Sequence, residues 1–140
     1  MVENVPPGRV WEALRNDPKA QLVDVRTDAE WNFVGLPDLA PLGRQVHCIE
    51  WQQFPTGAPN PDFLSEAQES LRGAGAATDT PILVLCRSGA RSRAAAMVLA
   101  AAGYTKAFNI GDGFEGNLDP ERHRGLTAGW KAAGLPWRQS

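Results

Sequence analysis

An α/β domain with a mostly parallel sheet is the fold class this sequence predicts, and two observations predict it. Short apolar runs alternate with helical stretches along the whole length, the pattern of strand–helix–strand units. The clearest run, TPILVLC (80–86), is apolar on both faces, as a strand in the middle of a parallel sheet is. Such a strand needs cover on each side, so helices are expected on both faces of the sheet.

The elements follow in order. RVWEALRND (9–17) reads as a short helix stopped by Pro18. QLVDV (21–25) is a strand that ends at Arg26 and Thr27. DAEWNFVG (28–35) begins a helix with Asp28 as its cap. QVHCIEW (45–51) is a second strand, and QQFPTGAPNP (52–61), rich in proline and glycine, is a loop. PDFLSEAQESLRGAG (61–75) is a helix with proline near its start and glycine at its end. After TPILVLC, the alanine-rich RSRAAAMVLAAAG (91–103) is the clearest helix, closed by Gly103. KAFNI (106–110) is a short strand, and GLTAGWKAAG (125–134) holds a last helix, followed by LPW.

Bulk properties narrow the function. A chain of 140 residues is the usual size of one domain with a real core. Hydrophobic residues at 43% and charged residues at 21% read as soluble and globular. The net charge of −2 demands neither nucleic acid nor an acidic membrane surface. No apolar run approaches the ~20 residues of a membrane span. The start, MVENVPPGRV, has neither the basic end nor the apolar core of a secretory signal. A cytoplasmic location is the expectation. Two cysteines, Cys48 and Cys86, are too few for a disulfide framework. With His47 and His123 they offer no paired ligand spacing, so no metal or cofactor is expected.

The chemistry concentrates in CRSGARS (86–92), at the carboxyl end of the best strand, where ligands bind in such sheets. A strand that turns sharply into a helix leaves main-chain N–H groups unpaired in a mildly positive spot. Gly89 permits φ > 0 in that turn. The amides from Arg87 through Ser88, Gly89 and Ala90 to Arg91 and Ser92 then form a cradle for an anion. Arg87 and Arg91 add forked donors suited to oxyanions, and Ser88 and Ser92 add hydroxyls. Helix N-termini and arginines favour the thiolate, which is the nucleophile. Two chemistries fit a Cys86 thiolate there: attack on a phosphoryl group, or uptake of a sulfane sulfur to give a persulfide. A cysteine at a strand end is ordinarily a small core residue, and Cys48, in an alternating strand without basic neighbours, is read that way.

Other residues read as support. Asp24 and Arg26, two apart on a strand, share a face and either brace the loop or pair with each other. His47 reads as a satisfied structural histidine and His123 as a loop residue. Trp11, Trp31, Trp51, Trp130 and Trp137 are mainly packing, with Trp51 and Trp130 near enough to two rim loops to line a pocket.

CRSGARS resembles the active-site loop of the rhodanese family. LVDVRTDAEW (22–31), FNIGDGFEG (108–116) and GWKAAGLPW (129–137) resemble three further blocks of that family in the same order. The resemblance implies a single rhodanese domain over residues 1–140, with a five-stranded parallel sheet flanked by helices. It implies a sulfurtransferase of the thiosulfate type, with Cys86 carrying a persulfide. The backbone from Arg87 to Ser92 would cradle the anion, and Arg87 and Arg91 would hold the donor's charge. The donor would be a small molecule, thiosulfate or a persulfide, and the acceptor cyanide or a thiol. Two alternatives remain: a sulfur-relay module that docks a protein partner and acts weakly on thiosulfate, and a cysteine-dependent phosphatase. The related phosphatases have one residue more between cysteine and arginine. The shorter loop here suits a persulfide better.

Two departures from the family stand out. VGLPDLAPLGRQV (34–46) lacks the histidine that often follows the second strand, and EGNLDPERHRGLTA (115–128) intervenes before Trp130. Together with 52–61, that insert either walls the pocket, with Arg122, His123 and Arg124 as its basic cluster, or forms a solvated surface loop.

Overall fold

The computed structural model describes residues 2–139. Five strands form one parallel sheet in the order β1 (Asn4–Val5), β6 (Ala107–Ile110), β5 (Ile82–Leu85), β2 (Gln21–Asp24), β4 (His47–Cys48). The strand expected to be central is central: β5 pairs with β2 from Gln21↔Ile82 to Asp24↔Leu85 and with β6 from Ile82↔Ala107 to Val84↔Asn109.

Side-chain alternation along β5 divides the core into two. Ile82, Val84 and Cys86 face one side, where they meet Ala67 and Leu71 of α3 (Phe63–Gly73) and Ala95 and Leu99 of α4 (Ala90–Ala101). Leu83 and Leu85 face the other side, against Val10 and Leu14 of α1 (Pro7–Asn16) and Trp130 of α5 (Gly129–Ala132). Each fully buried leucine contributes about 1.5–3 kcal/mol relative to exposure. Helices therefore cover both faces. Among the described residues, no helix is long and apolar enough to cross a membrane.

Several expectations are corrected. The cap of α2 (Asp28–Phe33) is Thr27, not Asp28: the Thr27 hydroxyl accepts from the Glu30 amide while the Glu30 carboxylate accepts from the Thr27 amide. QVHCIEW gives only the two paired residues of β4, although the amides of Ile49 and Trp51 still donate to Asp24 and Val25. A second, antiparallel sheet joins β3 (Leu36–Pro37) to β7 (Trp137–Arg138). No periodicity could announce strands that short. Cys48 is exposed rather than core. It stands in register with Asp24, itself opposite Leu85, so it lies two strands from β5, about 10 Å away, and too far for a disulfide to Cys86. Trp51 packs edge-on against Phe63 and Trp130 is fully buried, and neither lines the pocket that holds Cys86.

Candidate active site

The chain turns from β5 into α4 within a few residues. Gly89 caps α4 with φ 117° and ψ −12°, a conformation closed to residues with a side chain. No side chain caps the first turn of α4, so its amides remain available at the positive end of the helix. Cys86 is 1% exposed and its side chain belongs to the α3–α4 core. It nonetheless reaches the floor of an open pocket of about 780 Å³ that its loop lines. The Gly89 amide donates to Cys86 Sγ at 3.1 Å, and Ser92 Oγ lies 3.2 Å from the same sulfur.

Ser92 is fully buried and belongs to a network that the sequence did not reveal. Its hydroxyl is 2.5 Å from Asn109 Oδ1, on β6. Asn109 Nδ2 donates to the Gly89 carbonyl at 3.1 Å and to Asn4 Oδ1 at 2.9 Å. Both amide hydrogens face acceptors, so the amide oxygen must face Ser92. Ser92 has a single proton to donate, and Asn109 Oδ1 and Cys86 Sγ compete for it.

The turn after β6 holds the loop from behind. The Phe114 amide donates to the Cys86 carbonyl at 2.8 Å, and those of Glu115 and Gly116 donate to the Arg87 carbonyl at 3.0 and 3.1 Å. A Cβ at Gly113 would stand 2.5 Å from the Cys86 carbonyl oxygen, so only glycine allows this approach.

Asp24 and Arg26 are both fully buried and pair at 2.7 Å. Arg26 also donates to the Gly35 carbonyl at 2.8 Å and lies 4.2 Å from the Phe114 ring centroid. The pair thus acts from the α1–α5 face, fixing Phe114 rather than touching the loop. His47 is satisfied by Ser70 and Gln21 at 2.6 and 2.8 Å, and burial holds its pKa below the ordinary value.

Arg91 has a different partner from the one expected. Its Nη1 and Nη2 donate to Glu30 Oε1 and Oε2 at 2.7 and 2.9 Å. Burial pushes the Glu30 carboxyl up, but the hydrogen bonds and charge of Arg91 outweigh it and leave the group below the usual carboxylate value. The Glu30 bond in turn raises the Arg91 guanidinium. Arg87 is exposed and, with Ser88 and Ala90, lines the pocket. Glu30 was missed, although Thr-Asp-Ala-Glu (27–30) carries the signature of a capping box.

Both rim loops reach the pocket. Gln52, Gln53, Phe54 and Pro55 line it from one, Glu115 and Arg124 from the other. Arg122 and His123 do not line it. Asp119 Oδ1 accepts from the amides of Glu121 and His123, folding the insert on itself, and Arg124 Nη1 donates to the Gly116 carbonyl at 2.7 Å.

Comparisons agree with this architecture. Residues 6–140 match the family model described as the STR4 middle domain. The crystal structure of Rv0390 from M. tuberculosis superposes with a TM-score of 0.89 at 48% identity, covering 100% of this chain and 99% of that one. An uncharacterized protein of Rickettsia prowazekii, RP600, is 37% identical over 138 residues, 99% of this chain and 98% of its own length. The Arabidopsis thaliana rhodanese-like domain-containing protein 4, chloroplastic, is 27% identical over 124 residues, which is 89% of this chain but 23% of the plant protein. The chain belongs to the STR4 middle-domain family and has the fold of rhodanese-like domains.

Proposed function

We propose that this protein is a sulfurtransferase that carries a sulfane sulfur as a persulfide on Cys86. The observation that carries the reading is the Cys86 sulfur at the floor of an open pocket, 3.1 Å from the Gly89 amide at the start of α4. With thiosulfate as donor, the Cys86 thiolate attacks the outer sulfur. A new S–S bond forms, the donor's S–S bond breaks, and sulfite leaves with its electron pair. Cyanide then takes the outer sulfur as thiocyanate and returns the thiolate; a thiol acceptor takes it as a new persulfide.

The residues of the chain have distinct tasks in this scheme. The Gly89 amide and the Ser92 hydroxyl support negative charge on sulfur. Further amides of the α4 first turn cradle the donor's anionic end, and Arg87 attracts it. Arg91 acts through Glu30 to hold the loop rather than through the donor. The two rim loops bound the space in which the donor or acceptor must fit. Residues 1–140 act as one domain in this reading.

Thiocyanate formation from thiosulfate and cyanide tests it. Cys86→Ser should abolish turnover while leaving the circular dichroism spectrum unchanged. Turnover retained in that variant would exclude the mechanism.

A further inference from the structure

We infer that Phe33 and Phe54 make this site selective among sulfur donors, favouring one whose reacting sulfur is attached to an aromatic or similarly apolar body. The inference rests on the sulfurtransferase reading and names specificity-determining residues of the same site. Its basis is the room and the chemistry above Cys86. The pocket holds about 780 Å³. Thiosulfate has five heavy atoms, and at the ~30 Å³ that one water fills in the liquid it would occupy on the order of 150 Å³. The remainder matches an organic ligand, whose sites run to about 300–1,000 Å³.

The walls are not those of an inorganic anion site. Phe33, the last residue of α2, is 80% exposed, and Phe54, in the 52–61 loop, is 68% exposed; both line the pocket. Ala29 and Pro55 add to the apolar lining, and Arg124 stands on the rim contributed by the insert. Two phenyl rings from separate elements are thus left in water in the pocket that Cys86 also lines. A flat apolar body attached to the reacting sulfur would cover them, and their removal from water would stabilise the bound donor. Arg91 is occupied by Glu30, so less charge is available to grip a small dianion than the sequence suggests.

The step balances as for thiosulfate. For a thiosulfonate R–SO2–S⁻, the Cys86 thiolate attacks the outer sulfur. The S–S bond of the donor breaks, and the sulfinate R–SO2⁻ leaves with the electron pair.

Benzenethiosulfonate and methanethiosulfonate share the reacting head and differ in the body, so they are the probes. The quantity to measure is the ratio of their kcat/KM values for thiocyanate formation, divided by the ratio of their rates with a free low-molecular-weight thiol. The expected value is about tenfold or more in favour of the aromatic donor, falling toward one in Phe33→Ala and Phe54→Ala. A ratio near one in the unaltered protein overturns the inference and leaves the sulfurtransferase reading standing. A high ratio unchanged in both variants overturns it as well. If neither probe nor thiosulfate adds sulfur to Cys86 by mass, the sulfurtransferase reading fails and the inference falls with it.

Discussion

Arg91 and Glu30 form a two-pronged ion pair at 2.7 and 2.9 Å that ties the first turn of α4 to the first turn of α2. The same carboxylate closes the capping box with Thr27. One acidic side chain therefore holds the start of the helix that carries the loop and caps the helix that walls the pocket.

Glu30→Gln is predicted to uncouple both. It leaves the Arg91 cation half-buried without its counter-charge and weakens the α2 cap. The expected loss of stability is about 1–3 kcal/mol, read from urea melts. The expected loss of kcat/KM is about tenfold. Arg91→Lys should restore little, since an ammonium cannot span both carboxylate oxygens. Full activity in Glu30→Gln would show that the loop holds its shape without the pair.

Asn109 is predicted to slow Cys86 by competing with its sulfur for the Ser92 proton. In Asn109→Ala that proton is free to serve the sulfur, so the rate of Cys86 alkylation at fixed pH should rise by up to about tenfold, the worth of one hydrogen bond. Ser92→Ala should lower it, because the sulfur loses a donor. The double variant should behave as Ser92→Ala alone. A gain in Asn109→Ala that survives the loss of Ser92 would place the effect elsewhere, in the Gly89 carbonyl or Asn4 contacts.

The buried Asp24–Arg26 pair is predicted to matter through Phe114. Asp24→Ala leaves a fully buried guanidinium uncompensated, at a cost of about 3–5 kcal/mol. Asp24→Leu with Arg26→Met should recover most of that loss, since two apolar side chains need no counter-charge. Thermal melts distinguish the outcomes. If the double variant is as unstable as the single, the pair does more than neutralise itself.

Much of this was legible in the sequence where the signal is local. The Ile82–Leu85 run announced a central strand because it is apolar on both faces, and Ala90–Ala101 announced a helix by composition. Thr27 and Glu30 sit within one turn, yet Asp28 stood between them as a plausible cap and masked the box. Arg91 reads as a ligand for an external anion, and the carboxylate it pairs with in the fold lies 61 residues earlier, out of reach of any local pattern. Asn109, buried beside Ser92, looked like any polar residue of a short strand. Leu36–Pro37 and Trp137–Arg138 pair only once the C-terminus folds back across the chain, so nothing near either segment could reveal them.

Stability is predicted to fall with acid in two stages. His47 has a folded pKa below its ordinary value of 6.5 because it is buried. Its neutral form is favoured in the fold, so the contribution is complete above 6.5 and declines as pH drops below it. Glu30, depressed below 4.5 despite its burial because Arg91 holds it ionised, adds a second loss below 4.5. Urea midpoints between pH 8 and pH 3 check this (~0.5-unit steps suffice for groups of these ordinary pKa values). His47→Gln should flatten the first stage and leave the second. A midpoint that rises on acidification would contradict both assignments.

Intact mass of the protein after incubation with a sulfane-sulfur donor, followed by peptide mapping, tests the central claim most directly. A gain of about 32 Da on the peptide holding Cys86, absent in Cys86→Ser and reversed by cyanide with release of thiocyanate, is the predicted result. No gain with thiosulfate, methanethiosulfonate or benzenethiosulfonate, or a gain only on Cys48, would contradict it.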